Sequence, residues 1–167
     1  MGINYQWANQ QSVAGGLSSS PSRIRSAVYA NYRNSTTQTV NINRAPLLVD
    51  GLRSLSFNKM PFPVWDADNS KIRPPKSDEL YLVRINLKST ATTSTVISIE
   101  LDVNGAVLAS INFQPKQMTE AFDSGLMMFY AGSNFVNNGG TLFVWATDEV
   151  SVSETSLLLV RLAATEN

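Results

Sequence analysis

From Tyr81 to Lys88 apolar and polar side chains alternate: Tyr81, Val83, Ile85 and Leu87 against Leu82, Arg84, Asn86 and Lys88. A period of two predicts a β-strand with one core face and one largely polar face. Ile97, Ile99 and Leu101 alternate in the same way with Ser98, Glu100 and Asp102. The threonine-rich stretch from Ser89 to Thr95 reads as the turn between these two strands. Asn104-Gly105 follows, the strongest short hairpin signal in the chain. A two-residue loop would pair Val103 with Ala106 and put Val107 and Ile111 on the face that carries Asp102 and Glu100. A three-residue loop with Gly105 left-handed pairs Leu101 with Val107, Ile99 with Ala109 and Ile97 with Ile111. All the apolar side chains then share one face. Slipping by one residue flips the whole set, so the pattern predicts the bulged three-residue turn.

Upstream, Ile24, Val28 and Tyr32 lie in one extended candidate, and Thr36 to Asn43 form another. Residues 57–77 hold Pro61, Pro63, Pro74 and Pro75 with Asp66, Asp68 and Asn69. Prolines remove ladder donors, so this stretch reads as a long Pro-rich connecting loop. Residues 1–22 read as an extended arm. Its Val13–Pro21 part is small and polar, and Ile3, Tyr5 and Trp7 alternate ahead of it. That tip is either a strand of the domain's own sheet or an anchor on a neighbouring subunit. Residues 23–167 form a single domain. Its last third differs from the rest. Leu126–Tyr130, Leu142–Ala146 and Leu157–Val160 are apolar at consecutive positions. Such strands need cover on both faces. The core covers one face, and the simplest second cover is another subunit; a buried helix or an overlying loop is the alternative. Residues 116–122 have room for one helical turn. About nine short strands separated by turns give an all-β fold, an antiparallel β-sandwich or jelly roll.

The chain has 167 residues, with neither cysteine nor histidine. That removes disulfides, zinc–thiolate sites and thiol catalysis, together with the usual general base. The 13 basic and 13 acidic groups cancel, but unevenly along the chain. Residues 1–77 sum to +6 and residues 78–167 to −6. The halves either neutralise each other in the fold or present a basic face to an acidic partner. Nucleic acid is not the expected partner, because the basic residues are dispersed and the pI is about 6.2. No run is long and apolar enough for a membrane helix. The first basic residue is Arg23, so the start lacks the pattern of a signal peptide, and synthesis in a cytoplasm is expected.

Motifs for chemistry are sparse. The sequence has no phosphate-binding loop, dinucleotide fingerprint or nucleophile elbow. Glu100 and Asp102 face the same way on one strand, as solvated pairs commonly do. Asp66, Asp68 and Asn69 offer oxygen ligands to a hard cation, and they are also ordinary turn formers. Tyr29, Tyr32, Trp65, Phe129, Tyr130 and Trp145 include candidates for a sugar-stacking platform. We expect no catalytic residue and no cofactor.

The strand, threonine-rich turn, strand, Asn-Gly and strand of Tyr81 to Phe113 form a pattern with two later segments. These are Gly140-Thr-Leu-Phe-Val-Trp-Ala-Thr-Asp-Glu-Val-Ser-Val152 and Leu157-Leu-Leu-Val-Arg-Leu162. The pattern resembles the tumour-necrosis-factor/complement-type jelly roll, in the versions found in bacteriophage structural proteins. The arm and the Pro-rich insertion are not part of it. The resemblance implies a homotrimeric, non-enzymatic virion protein, foremost a capsid decoration or cement protein. The alternatives are a tail fibre, spike or baseplate module, or a carbohydrate-binding receptor module. It implies a trimer interface drawn from Phe129, Phe143, Trp145, Leu157, Leu158 and Leu159. Contact with a major capsid protein would fall to Tyr5, Trp7, Arg23, Arg25, Arg33, Arg44 and Arg53.

Overall fold

The structure, a computed structural model, describes residues 28–34, 36–49, 51–52, 64–66, 68–90, 94–114 and 121–163. Twelve strands and one helix lie within them. In chain order the strands are β1 (Val28–Asn34), β2 (Gln38–Val40), β3 (Ala45–Pro46), β4 (Gly51–Leu52), β5 (Trp65–Asp66) and β6 (Lys71–Ile72). The longer elements follow: β7 (Glu79–Ser89), β8 (Ile97–Val103), β9 (Ala106–Phe113), β10 (Ala121–Ala131), α1 (Ser133–Asn138), β11 (Gly140–Ala146) and β12 (Val150–Ala163). Every pairing is antiparallel. Sheet I runs β10-β7-β12-β1-β4, with β2 also beside β12; sheet II runs β5-β6-β11-β8-β9, with β3 also beside β11. The chain crosses between the sheets from β7 to β8, β9 to β10, β10 to β11 and β11 to β12, while β8 and β9 form a hairpin within sheet II; the result is an antiparallel all-β sandwich.

The alternating side chains meet between the sheets. Tyr81, Val83, Ile85, Leu157 and Leu159 of sheet I face Ile97, Ile99, Leu101, Leu142 and Val144 of sheet II, all with no exposed surface. Each such aliphatic side chain contributes roughly 1.5–3 kcal/mol by leaving water. One buried charge interrupts this layer. Glu79, 1% exposed, accepts a hydrogen bond from the Tyr81 hydroxyl and one from Arg161 Nη1 at 3.2 Å. Burial, then the Glu79 carboxylate, pushes the Tyr81 phenol well above its ordinary pKa.

The β8–β9 hairpin corrects the expected turn. Val103 and Ala106 close it as a two-residue loop, and Asp102 pairs with Val107. Asn104 and Gly105 both have positive φ, 53° and 86°, as the mirror-image turn matched to strand twist requires. The register then shifts, so that Leu101 pairs with Ala109, Ile99 with Ile111 and Ile97 with Phe113. The bulge needed to gather the apolar residues on one face therefore sits at Leu108, one step beyond the turn. The demand was met inside the strand, because Asn-Gly already satisfies the tighter turn.

Two further expectations change. The part of the Pro-rich loop that is described contains the β5–β6 ribbon, which joins sheet II through Ile72 opposite Gly140 and Lys71 opposite Thr141. Helix α1 was not anticipated; its Phe135 is buried, and the Gly139 N–H closes its end on the Phe135 carbonyl at 2.8 Å. Most of the turn expected at 116–122 lies outside the described residues, and β10 begins at Ala121. The arm, residues 1–22, lies outside them as well. At the open side of the sandwich, Gly125 of β10 lets sheet I approach sheet II. A Cβ there would lie 2.5 Å from Ile111 Cγ2, so any larger residue forces Ile111 to shift.

Candidate interaction face

The two outer faces of the sandwich are built differently. On sheet II, β8 presents Ser98, Glu100 and Asp102, and its neighbour β11 presents Trp145, Phe143 and Thr141 opposite them in that order. Strand β3 pairs with Phe143 and Val144. Backbone bonds from Ala146 N to Asn41 O and from Leu47 N to Leu142 O, both 2.8 Å, strap the 41–47 segment onto β11. This strap lays Arg44 across the face. Its guanidinium carbon stands 4.1 Å from the centre of the Phe143 ring, a cation–π distance. Its Nε reaches Glu100 and its Nη2 reaches Asp102, each at 2.9 Å. Trp145 Nε1 donates to Glu100 Oε1 at 3.2 Å. Asp102 Oδ1 also accepts from the Gly105 N–H at 2.8 Å, so one carboxylate ties the hairpin turn to Arg44.

On sheet I, direct cross-strand pairs place apolar side chains in rows across the outer face. Val160, Leu82 and Met128 form one row. Leu158, Arg84 and Leu126 form the next, and Leu80 lies opposite Tyr130. Leu162 stands in a bulge between Arg161 and Ala163. Leu126, Met128, Tyr130 and Leu162 are 62, 60, 53 and 39% exposed, while Leu80, Leu82, Leu158 and Val160 are half-buried. Tyr130 is fixed by donating its hydroxyl to Asp78, which raises the phenol pKa. Arg84, held to Ser124 by a 3.0 Å bond, supplies the charge of these rows. The other end of the face is polar, with Asn86 bonded to Ser156 and Arg33 paired with Glu154, both at 2.8 Å. A contiguous apolar patch with a polar rim is the signature of an association surface.

The residues singled out from sequence divide on this geometry. Phe129, Leu157 and Leu159 point inward and are buried in the chain's own core. Leu158 is on the outer face of sheet I; Phe143 and Trp145 are on the outer face of sheet II, where Arg44 and Glu100 engage them. The six therefore do not form one surface. Among the arginines, Arg33 and Arg44 are held by Glu154, Glu100 and Asp102, so here the basic and acidic halves neutralise each other. Tyr5, Trp7, Arg23, Arg25 and Arg53 lie outside the described residues. The aromatic platform disperses: Tyr32, Trp65 and Phe129 are buried, and Tyr130 and Trp145 belong to opposite sheets. Asp66 is engaged by Arg73 Nε at 2.8 Å and by Asn69 Nδ2 at 2.9 Å. Those bonds, with Arg73 the larger cause, hold its carboxyl below the ordinary range. The Asp66–Asn69 stretch is thus knit by its own turn and by Arg73. Among the described residues no three acidic side chains converge on a common point, and no helix is long and apolar enough to cross a membrane.

Sequence reasoning missed the eight-residue patch as a unit. Leu80, Leu82, Leu126 and Met128 fill polar-phase or consecutive positions whose partners only the β10-β7-β12 order reveals.

No protein-family model and no curated protein sequence matches the chain. Solved structures do match in fold. The structure of Eiger TNF from S. frugiperda superposes with a TM-score of 0.54 at 15% identity, covering 84% of this chain and 94% of that one. The PRD1 vertex protein P5 superposes with a TM-score of 0.58 at 10% identity, covering 83% of this chain and 73% of that one. The chain thus shares the antiparallel jelly-roll sandwich of a tumour necrosis factor and of a phage vertex protein.

Proposed function

We propose that this chain is a non-enzymatic structural protein of a bacteriophage virion. It self-associates, as a trimer, through the outer face of sheet I, and it reinforces a capsid as a decoration protein. The observation that carries the reading is the exposed apolar patch of Leu126, Met128, Tyr130 and Leu162 with Leu80, Leu82, Leu158 and Val160 behind it. Exposing that much apolar surface costs free energy in water, and burying it against copies of itself recovers it at roughly 25 cal/mol per Å². The likeness to a phage vertex protein supports the virion setting. The all-β frame, the lack of histidine and cysteine, and carboxylates already paired with arginines support a role in assembly.

Native mass by light scattering over a range of concentrations tests association. The expected value is about 55 kDa, three copies of 18.3 kDa; a constant monomer mass overturns the trimer. Adding the protein to undecorated capsids then tests the decoration role. Bound protein and a higher capsid melting temperature are expected, and the absence of binding at stoichiometric excess rejects it.

A further inference from the structure

The open edge of the sandwich carries a groove that adjoins the broad face of sheet I and shares Met128 and Tyr130 with it. It lies between the edge strand β10, the β8–β9 hairpin and α1, and is an open cleft of about 470 Å³. Val107 and Leu108 form one wall, Met128 and Tyr130 the other, and Phe135 part of the floor. Val107 and Leu108 are about half exposed, at 53 and 49%. These are apolar side chains facing water, at the bulge of β9. The lining contains no charged side chain among the described residues. Strands β9 and β10 are the terminal strands of their sheets at this side, so each presents a backbone edge that an extended segment can pair with.

We propose that this groove is the receptor for the chain's own N-terminal segment, Ile3 to Trp7. Three observations select that occupant. The first is position. Val28, where β1 begins, pairs with Arg161, which pairs with Tyr81, which pairs with Phe129 of the groove. The described chain therefore begins in the same cross-strand row as the groove, about 14 Å away at three strand spacings. The second is length. Residues 8–27 span up to roughly 65 Å when extended, enough for the groove of the same copy or of an adjacent one. The third is chemistry. Residues 1–22 contain no Asp, Glu, Lys or Arg side chain, and Ile3, Tyr5 and Trp7 alternate. An uncharged segment whose alternation would place three large apolar side chains on one side when extended suits an uncharged apolar groove beside an open edge. The mode is strand addition, with the backbone paired to the edge and alternate side chains in the groove. This proposal does not depend on the trimer, because one copy can fill its own groove.

The chain has no cysteine, which makes cross-linking of the full-length protein unambiguous. Ala8→Cys, beside the anchor, is combined with Val107→Cys at the groove wall and treated with a short bis-maleimide. The control pairs Ala8→Cys with Glu149→Cys, an exposed position beyond the opposite end of the sandwich. The expected result is a cross-linked yield several-fold above the control, reduced to the control level by adding Trp7→Ala. The mass of the product, one chain or two, reports which copy supplies the segment, and either product supports the proposal. Equal yields in the groove and control pairs overturn it, as does a yield that Trp7→Ala leaves unchanged. Circular dichroism of each variant verifies the fold. Light scattering of the same samples reports the oligomeric state separately, so a failed trimer and an empty groove are told apart.

Discussion

The outer faces of the two sheets answer one sequence signal in two ways. Leu142–Ala146 in sheet II and Leu126–Tyr130 and Leu157–Val160 in sheet I are all apolar at consecutive positions. In sheet II the second face is covered from within. The strap at 41–47 brings Arg44 onto Phe143, and Glu100 takes the Trp145 N–H. In sheet I the described residues leave the equivalent face to water, with Met128 60% exposed. A doubly apolar strand therefore states that a cover is needed, and an aromatic pair beside carboxylates is the mark of an internal one. The aliphatic outer positions Leu126 and Met128 have no such polar handle, and among the described residues they stay exposed.

The largest expected effect separates the faces outright. Replacing Leu126 and Met128 with Asp puts two charges on the patch without touching the core, since both side chains are mostly exposed. Charges at the centre of an apolar interface are rarely tolerated. Light scattering is expected to show monomers at concentrations where the parent associates, with an unchanged circular dichroism spectrum. Association that survives this double substitution would place the interface elsewhere.

Arg44→Ala removes the internal cover of the other sheet. It leaves Asp102, 7% exposed, without its cation and uncovers the Phe143 ring. The expected loss is about 1–3 kcal/mol in urea unfolding, scaled down because the Arg44 side chain is itself 36% exposed. The native mass is expected to stay that of the parent. Arg84→Ala is the matched test on sheet I. Arg84 is exposed and bonded to Ser124, so its loss is expected to cost no more than about 0.5 kcal/mol. Equal costs for the two arginines would erase the distinction drawn between the faces. Trp145→Phe is smaller than Arg44→Ala, because it keeps the ring and deletes one half-buried donor to Glu100. About 0.5–1.5 kcal/mol is expected from the same unfolding midpoint.

The sandwich was legible because its signals are local. The alternation of Tyr81 to Leu87 and of Ile97 to Leu101 survives intact as buried faces. The hairpin was legible in its aim and misplaced in its detail. Gathering Ile97, Ile99 and Leu101 opposite Ile111 and Phe113 needs one extra residue, but the sequence does not say where it goes. Asn104-Gly105 suits the two-residue turn, so the extra residue became the bulge at Leu108. The interaction face was half legible. Leu157, Leu158 and Leu159 were read together as interface candidates; Leu158 lies on the outer face, whereas Leu157 and Leu159 are in the core, and a run of leucines cannot show which member faces which way. Arg44 was a candidate for an external acid, and it found Glu100 and Asp102 56 and 58 positions along the chain. Pairings at that separation depend on strand order, which no local pattern encodes.

Salt offers the finest division of the two faces, because it acts on them with opposite sign. The cover of sheet II is partly Coulombic, through Arg44 with Glu100 and Asp102. Sodium chloride screens half-exposed pairs of this kind, with a Debye length of about 3 Å at 1 M. The cost of Arg44→Ala is therefore expected to shrink as chloride rises, by a few tenths of a kcal/mol for pairs this accessible. The cover proposed for sheet I is hydrophobic, and sulfate strengthens such burial because it is excluded from apolar surface. Dilution series in sodium sulfate are expected to show tighter association than at equal ionic strength in chloride. Weaker association in sulfate would mean that charge holds the copies together. The patch around Met128 and Val160 would then no longer explain the assembly, and the rim of Arg33, Glu154 and Lys88 would take its place.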